Sequence, residues 1–159
     1  MVGGLIALVV VLAAASVVGF AVRQRQGKFR AVRPASALPA DGAALPPPGS
    51  DVLSAEDLGA PLGAQVTLVQ FSSAVCAYCG PTRELLTEVA AERDGIAFVE
   101  IDAAARMDLT GRLRVLSTPT VLVLDALGGI TSRASGPLRK ADLLTAVGAA
   151  VSATAGDAS

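Results

Sequence analysis

The chain has 159 residues, 52% of them hydrophobic, and carries a formal charge of −1, with two cysteines and no histidine. That length accommodates one ordinary domain with extensions. The missing histidine excludes a Cys–His or Ser–His–Asp catalytic arrangement, and two cysteines fall short of the roughly four Cys or His ligands of a usual zinc site or of a secreted disulfide framework.

The small net charge conceals an asymmetry. Residues 1–33 hold five basic residues (Arg23, Arg25, Lys28, Arg30 and Arg33) and no acid, whereas residues 34–159 hold eight basic and fourteen acidic residues, a net of −6. An acidic main segment argues against nucleic acid as a partner, because phosphate neutralisation needs a basic face.

Val2 to Val22 is an uninterrupted run of apolar and small residues. As a helix rising ~1.5 Å per residue it would measure roughly 32 Å, enough to cross a ~30 Å hydrocarbon core. Residues 1–22 are therefore expected to form one transmembrane helix in contact with the lipid bilayer through residues 2–22. The competing reading is a cleaved signal peptide, for which Ala13–Ala15 could imitate the cleavage site. It needs a basic segment before the run and a shorter core, and neither is present. Lys and Arg beside a span stay on the cytoplasmic side. Here they all follow it, so a single-pass membrane protein with its main domain on the cytoplasmic side is expected; an extracytoplasmic domain is the alternative.

Residues 23–50 read as a basic juxtamembrane segment followed by a Pro/Ala-rich linker, in which Pro46–Pro48 favours polyproline II. A domain is expected over 51–152 and a flexible tail over 153–159. Leu53–Leu62 is a short mixed segment with room for one helical turn. Gln65–Ser73 is a near-continuous apolar strand, the pattern of a sheet buried on both faces. Cys79–Arg93 is helical, with Leu85, Leu86, Val89 and Ala90 as its apolar stripe, and Gly95 ends it. Ile96–Asp102 reads as a second buried strand, Met107–Val115 as a helix, and Thr120–Asp125 as a third strand. Gly128–Gly129 turns the chain into Ile130–Ala134, and Ala141–Val151 is the last helix. The order β-α-β-α-β-β-α implies an α/β fold, a central sheet covered by helices.

Cys76 and Cys79 lie where the first buried strand gives way to a helix. A helix N-terminus offers unpaired N–H groups and partial positive charge, which stabilise a thiolate, the reactive form of cysteine. Alone, a Cys-x-x-Cys pair could also be half of a zinc site shared between chains, or inert. At a strand-to-helix junction it points to redox chemistry. Cys76 is then the attacking nucleophile and Cys79 the resolving thiol.

Over roughly residues 60–152 the sequence resembles the thioredoxin family. Val66–Phe71 is similar to the strand that feeds the active site, Cys76-Ala77-Tyr78-Cys79 to the redox motif, and Phe98–Asp102 to the next strand. Val115-Leu116-Ser117-Thr118-Pro119-Thr120 is similar to the cis-proline loop, and Gly136–Leu143 to the entry of the closing helix. The resemblance implies a thioredoxin-like fold with a mixed central sheet flanked by helices and a cis Thr118–Pro119 bond against the cysteines. It also implies a substrate groove formed by Thr118, Pro119, Gly136, Ala77 and Tyr78. Protein disulfides and dithiols would be the substrates, an unidentified reductant the electron source, and no cofactor or metal is expected.

Several positions depart from the family's pattern. Val75 stands where a Trp is frequent, and Ala77–Tyr78 replaces Gly–Pro; Tyr78 is similar to the glutaredoxins in this respect. Gln70 occupies the place of a buried Asp, and Phe98 that of a Lys. Proton transfer at Cys79 then needs another group or water. Glu100 and Asp102 are near in sequence but also read as ordinary strand-end acids. The runner-up function is an extracytoplasmic thioredoxin-like reductase that keeps envelope or cytochrome-maturation cysteines reduced; a function of another class, a thioredoxin-fold docking module without turnover, shares all these features except reactive cysteines.

Overall fold

The computed structural model describes residues 10–17, 19, 28–31 and 52–156. Residues 10–17 are helical (α1) and exposed. Among the described residues no helix is long and apolar enough to cross a membrane. Residues 2–9, 18 and 20–22 of the expected span, most of the linker and residues 157–159 lie outside the described residues.

A five-stranded mixed sheet forms the centre, in the order β1-β5-β4-β2-β3. Its strands are β1 (Arg30–Ala31), β2 (Val66–Ser72), β3 (Ile96–Asp102), β4 (Thr120–Asp125) and β5 (Ile130–Ser135). The helices are α2 (Ala55–Leu58), α3 (Cys79–Ala91), α4 (Met107–Arg112) and α5 (Lys140–Gly156). β2 runs parallel to β3 and antiparallel to β4; β5 is antiparallel to β4, and β1 antiparallel to β5.

All seven residues of β2 are buried. Their alternation divides the core, because successive side chains point to opposite faces. Val69 and Phe71 join Leu122, Leu124, Val99 and Ile101 beneath Leu58 of α2 and Leu109 of α4. Val66 and Leu68 join Val121 and Val123 beneath Leu86 and Val89 of α3 and Leu143, Val147 and Ala150 of α5. Each such side chain removed from water contributes ~1.5–3 kcal/mol, so both faces must be covered and the domain has three layers.

The structure differs from the sequence reading in particulars. β3 is an edge strand, not one buried on both sides: Glu100 and Asp102 are exposed, while Val99 and Ile101 face one cluster and Phe98 packs on the other. α4 is shorter than expected and closes at Leu113, followed by Arg114 at φ 50. α5 continues to Gly156, four residues into the segment read as a tail. Arg30–Ala31, inside the segment read as juxtamembrane spacer, forms an edge strand, and Phe29 packs against the α3/α5 cluster. The hairpin turn carries Gly128 at φ 84, and Asp125 Oδ1 accepts hydrogen bonds from the Leu127 and Gly129 N–H groups at 2.9 and 2.8 Å.

Candidate redox site

The site is assembled at the C-terminal end of β2. There the chain leaves the sheet at Ser73, turns, and enters α3 at Cys79. The turn is held by backbone bonds from the Cys76 N–H to Ser73 O at 3.2 Å and from the Cys79 N–H to Cys76 O at 3.3 Å. Cys76 and Cys79 are joined by a disulfide with Cα atoms 5.5 Å apart. Their surroundings differ. Cys76 is half-buried, whereas Cys79 is 3% exposed under the first turn of α3. Tyr78 is the N-cap of α3 but makes no side-chain capping bond, and the first turn holds no acid. The positive end of this helix is thus uncompensated, and it is directed at the CxxC loop. Pro81 sits in the same turn, where a missing N–H costs nothing.

A second loop lies against the first. The Thr118–Pro119 peptide is cis. Because Phe71 is opposite Thr120 in the register, Thr118 and Pro119 stand beside the exit of β2. The hydroxyls of Ser73 and Thr118 share a hydrogen bond of 2.8 Å, and Thr120 Oγ1 donates to Ser117 O at 2.8 Å. Gly136 follows β5 at φ 87 and donates its N–H to Pro119 O at 2.8 Å. A side chain at that φ would be strained, which accounts for glycine. Arg133 adds a further tie: its guanidinium donates to Leu113 O at 2.6 Å and to Arg114 O at 2.8 Å, at the root of the segment leading to Thr118. Burial lowers its pKa.

A model of the thioredoxin family matches residues 55–149. The chain belongs to the thioredoxin family. Among solved structures, its thioredoxin domain is similar to chloroplastic thioredoxin z, at 28% identity over 55% of this chain and 79% of that one, with a TM-score of 0.49. It is also similar to a thioredoxin from Nicotiana alata (24% identity, 52% and 70% covered, TM-score 0.46). A third is described as a malarial protein (19% identity, 55% and 98% covered, TM-score 0.47). Among curated proteins none matches the chain.

The thioredoxin domain has no carboxyl group at Gln70 and no ammonium group at Phe98. Gln70 is fully buried on the α3 side of the sheet, and its Nε2 donates to the Cys79 carbonyl at 2.9 Å. Its Oε1 has no hydrogen-bond partner among the described residues. Phe98 lies opposite Leu68 and packs with the apolar cluster. Glu100 lies opposite Gln70 on the neighbouring strand. Its carboxylate is held by Arg83 of α3, which donates from Nε at 2.6 Å and Nη2 at 2.7 Å. That fork holds the Glu100 carboxyl below its ordinary pKa, so it is a weaker proton acceptor than a free glutamate. Asp102 accepts from the Ala104 N–H at 2.9 Å and closes a turn. Among the described residues no group of three or more His, Cys, Asp or Glu could hold a metal ion.

The predicted groove residues lie around these two loops. Ala77 and Tyr78 are exposed, Thr118 and Gly136 half-buried, and Pro119 buried. Val75, at the place of the frequent Trp, is 95% exposed; Leu116 is 93% and Tyr78 51% exposed on the same end of the sheet. Sequence reasoning missed the contributions of Ser73, Arg133 and Leu116. Ser73 and Thr118 are 45 positions apart and carry no mutual signal. Leu116 was detectable as an apolar residue in a loop with no periodic face to join.

Proposed function

We propose that this thioredoxin-family chain is a membrane-tethered dithiol–disulfide oxidoreductase that reduces or exchanges disulfides of partner proteins. The observation that carries this reading is the inequality of the two cysteines. Cys76 is accessible at the uncapped end of α3, while Cys79 is 3% exposed beneath it. In the reduced protein the Cys76 thiolate attacks one sulfur of a substrate disulfide, and the other substrate sulfur leaves as a thiolate that takes up a proton. The Cys79 thiolate then attacks the Cys76 sulfur and releases the second substrate thiolate. The substrate gains two electrons and two protons, and the Cys76–Cys79 disulfide forms. A dithiol reductant returns the electrons by the reverse exchange. Thr118, Pro119 and Gly136 form the wall against which an extended substrate segment lies, with Ala77 and Tyr78 on its near side.

The tether is the apolar run Val2–Val22. Its described part is helical, with Val10, Val11, Leu12 and Val17 more than half exposed, as suits side chains that meet lipid. The basic residues that follow favour a cytoplasmic domain, where reduction is the working direction.

Cys79→Ser in the full chain is expected to accumulate mixed disulfides with partner proteins, visible as thiol-sensitive bands on a non-reducing gel, and Cys76→Ser to form none. Bands from Cys76→Ser alone would reverse the two roles. If both variants leave cellular function intact, the domain is a docking module. Protease access to intact cells reports which side of the membrane the domain occupies.

A further inference from the structure

The direction of β1 decides where the tether enters the domain. Arg30 pairs with Arg133 and Ala31 with Ser132, antiparallel to β5. Going back from Arg30, the chain therefore climbs β5 towards Ser135 and Gly136, whose N–H holds the cis-proline loop. Phe29 fixes this path by packing into the α3/α5 core, and continuing the register by two residues puts Lys28 beside Ser135. The segment that precedes Lys28 thus joins the domain at its redox end, opposite the Gly128–Gly129 hairpin.

Length then limits orientation. Val22 and Lys28 are six residues apart in the sequence, a reach of at most ~20 Å when fully extended. From Ser135 down to Gly129 the sheet itself spans ~20 Å, with the hairpin turn beyond. Turning the hairpin end to the bilayer would require the tether to lie stretched along the whole height of the domain. The redox end, in contrast, can face the bilayer with a relaxed tether. That end carries exposed apolar side chains: Val75 and Tyr78 beside Cys76 in the chain, Leu116 ahead of the cis-proline, and Met107, 74% exposed, after the end of β3.

We infer that the redox face is the membrane-proximal face of the domain, and that its substrates are disulfides in the juxtamembrane segments of integral membrane proteins. Val75, Tyr78, Leu116 and Met107 are the contact surface for such a segment. The inference rests on the tethered-oxidoreductase reading and adds the substrate class. A tether of five residues, 23–27, keeps Cys76 within reach of chain that emerges from the bilayer, at a high effective concentration, and holds it away from disulfides deep in the aqueous phase.

The test uses full-length Cys79→Ser in its own membranes, with and without a twelve-residue Pro-rich spacer between Gly27 and Lys28. The spacer would lift the domain by ~37 Å. After alkaline washing, the trapped adducts are expected to be integral membrane proteins, linked through cysteines within about ten residues of a span. The spacer is expected to reduce these adducts by about tenfold or more. With both cysteines present, it should leave reduction of a small soluble disulfide, oxidised glutathione, unchanged. Tyr78 is the only Tyr in a chain without Trp, so its emission reports on this face. In phosphatidylcholine vesicles with brominated acyl chains it should stay unquenched. A chain that washes off the membrane removes the tether reading and this inference with it. A chain that stays in the membrane but traps soluble proteins, or traps membrane proteins equally well with the spacer, overturns this inference alone. Strong quenching of Tyr78 would also overturn it, by assigning the apolar face to lipid.

Discussion

Two helices begin within 25 residues of each other and meet their exposed N–H groups in opposite ways. α2 starts with a complete capping box. Ser54 Oγ accepts from the Asp57 N–H at 3.1 Å, and Asp57 Oδ2 accepts from the Ser54 N–H at 2.9 Å. That backbone bond, with Arg112 at 3.2 Å behind it, lowers the Asp57 pKa to about 2. α3 starts at Tyr78 with no capping side chain and no acid. A negative group belongs at either helix start. At α2 a permanent carboxylate fills the place, and at α3 the place is left for a thiolate that forms only when the disulfide opens.

Substitutions at either helix start separate the two roles. The largest expected effect is on the support of α3. Gln70→Ala leaves the Cys79 carbonyl without its buried donor and opens a cavity, and it should lower unfolding free energy by about 2–3 kcal/mol in urea titrations. Next, Tyr78→Asp would give α3 the carboxylate it lacks. It should raise the Cys76 thiol pKa by about one unit, read as a shift of the alkylation midpoint to higher pH and a rate near neutral pH about three- to tenfold lower, without loss of stability. Ser54→Ala removes the cap of α2 and should cost about 1 kcal/mol while leaving Cys76 alkylation unchanged. The same cap gives a pH dependence. Because the Asp57 pKa is depressed on folding, its contribution is present above the ordinary carboxylate range and fades as pH falls from 3.8 to about 2. Ser54→Ala should flatten this part of the stability curve. The smallest effect is expected from Arg83→Ala, which breaks an ion pair at the surface and should barely move the urea midpoint.

What the sequence made legible follows from how local each signal is. β2 could be read because Val66–Phe71 is apolar at four of six positions, and α3 because its stripe repeats at helical spacing. The cysteine pair was placed by the junction between them. β3 was misjudged because five of its seven residues are apolar, which does not reveal that among the described residues nothing pairs on its outer edge. β1 is two residues long and owes its place to Phe29 and to the free edge of β5, neither of which has a local pattern. The capping box of α2, Ser54 with Asp57, was not read from the sequence, where Leu53–Leu62 gave only a short mixed segment. The ties that position the cis-proline loop, from Ser73, Arg133 and Gly136, depend on residues that only the folded sheet brings together.

The uncapped start of α3 is tested most directly by alkylating the fully reduced protein with iodoacetamide across a pH series and locating the label by mass spectrometry. Cys76 should be labelled before Cys79, with a midpoint below the ~8.5 of a free cysteine. Labelling of Cys79 first, or a Cys76 midpoint at or above that value, would contradict the account.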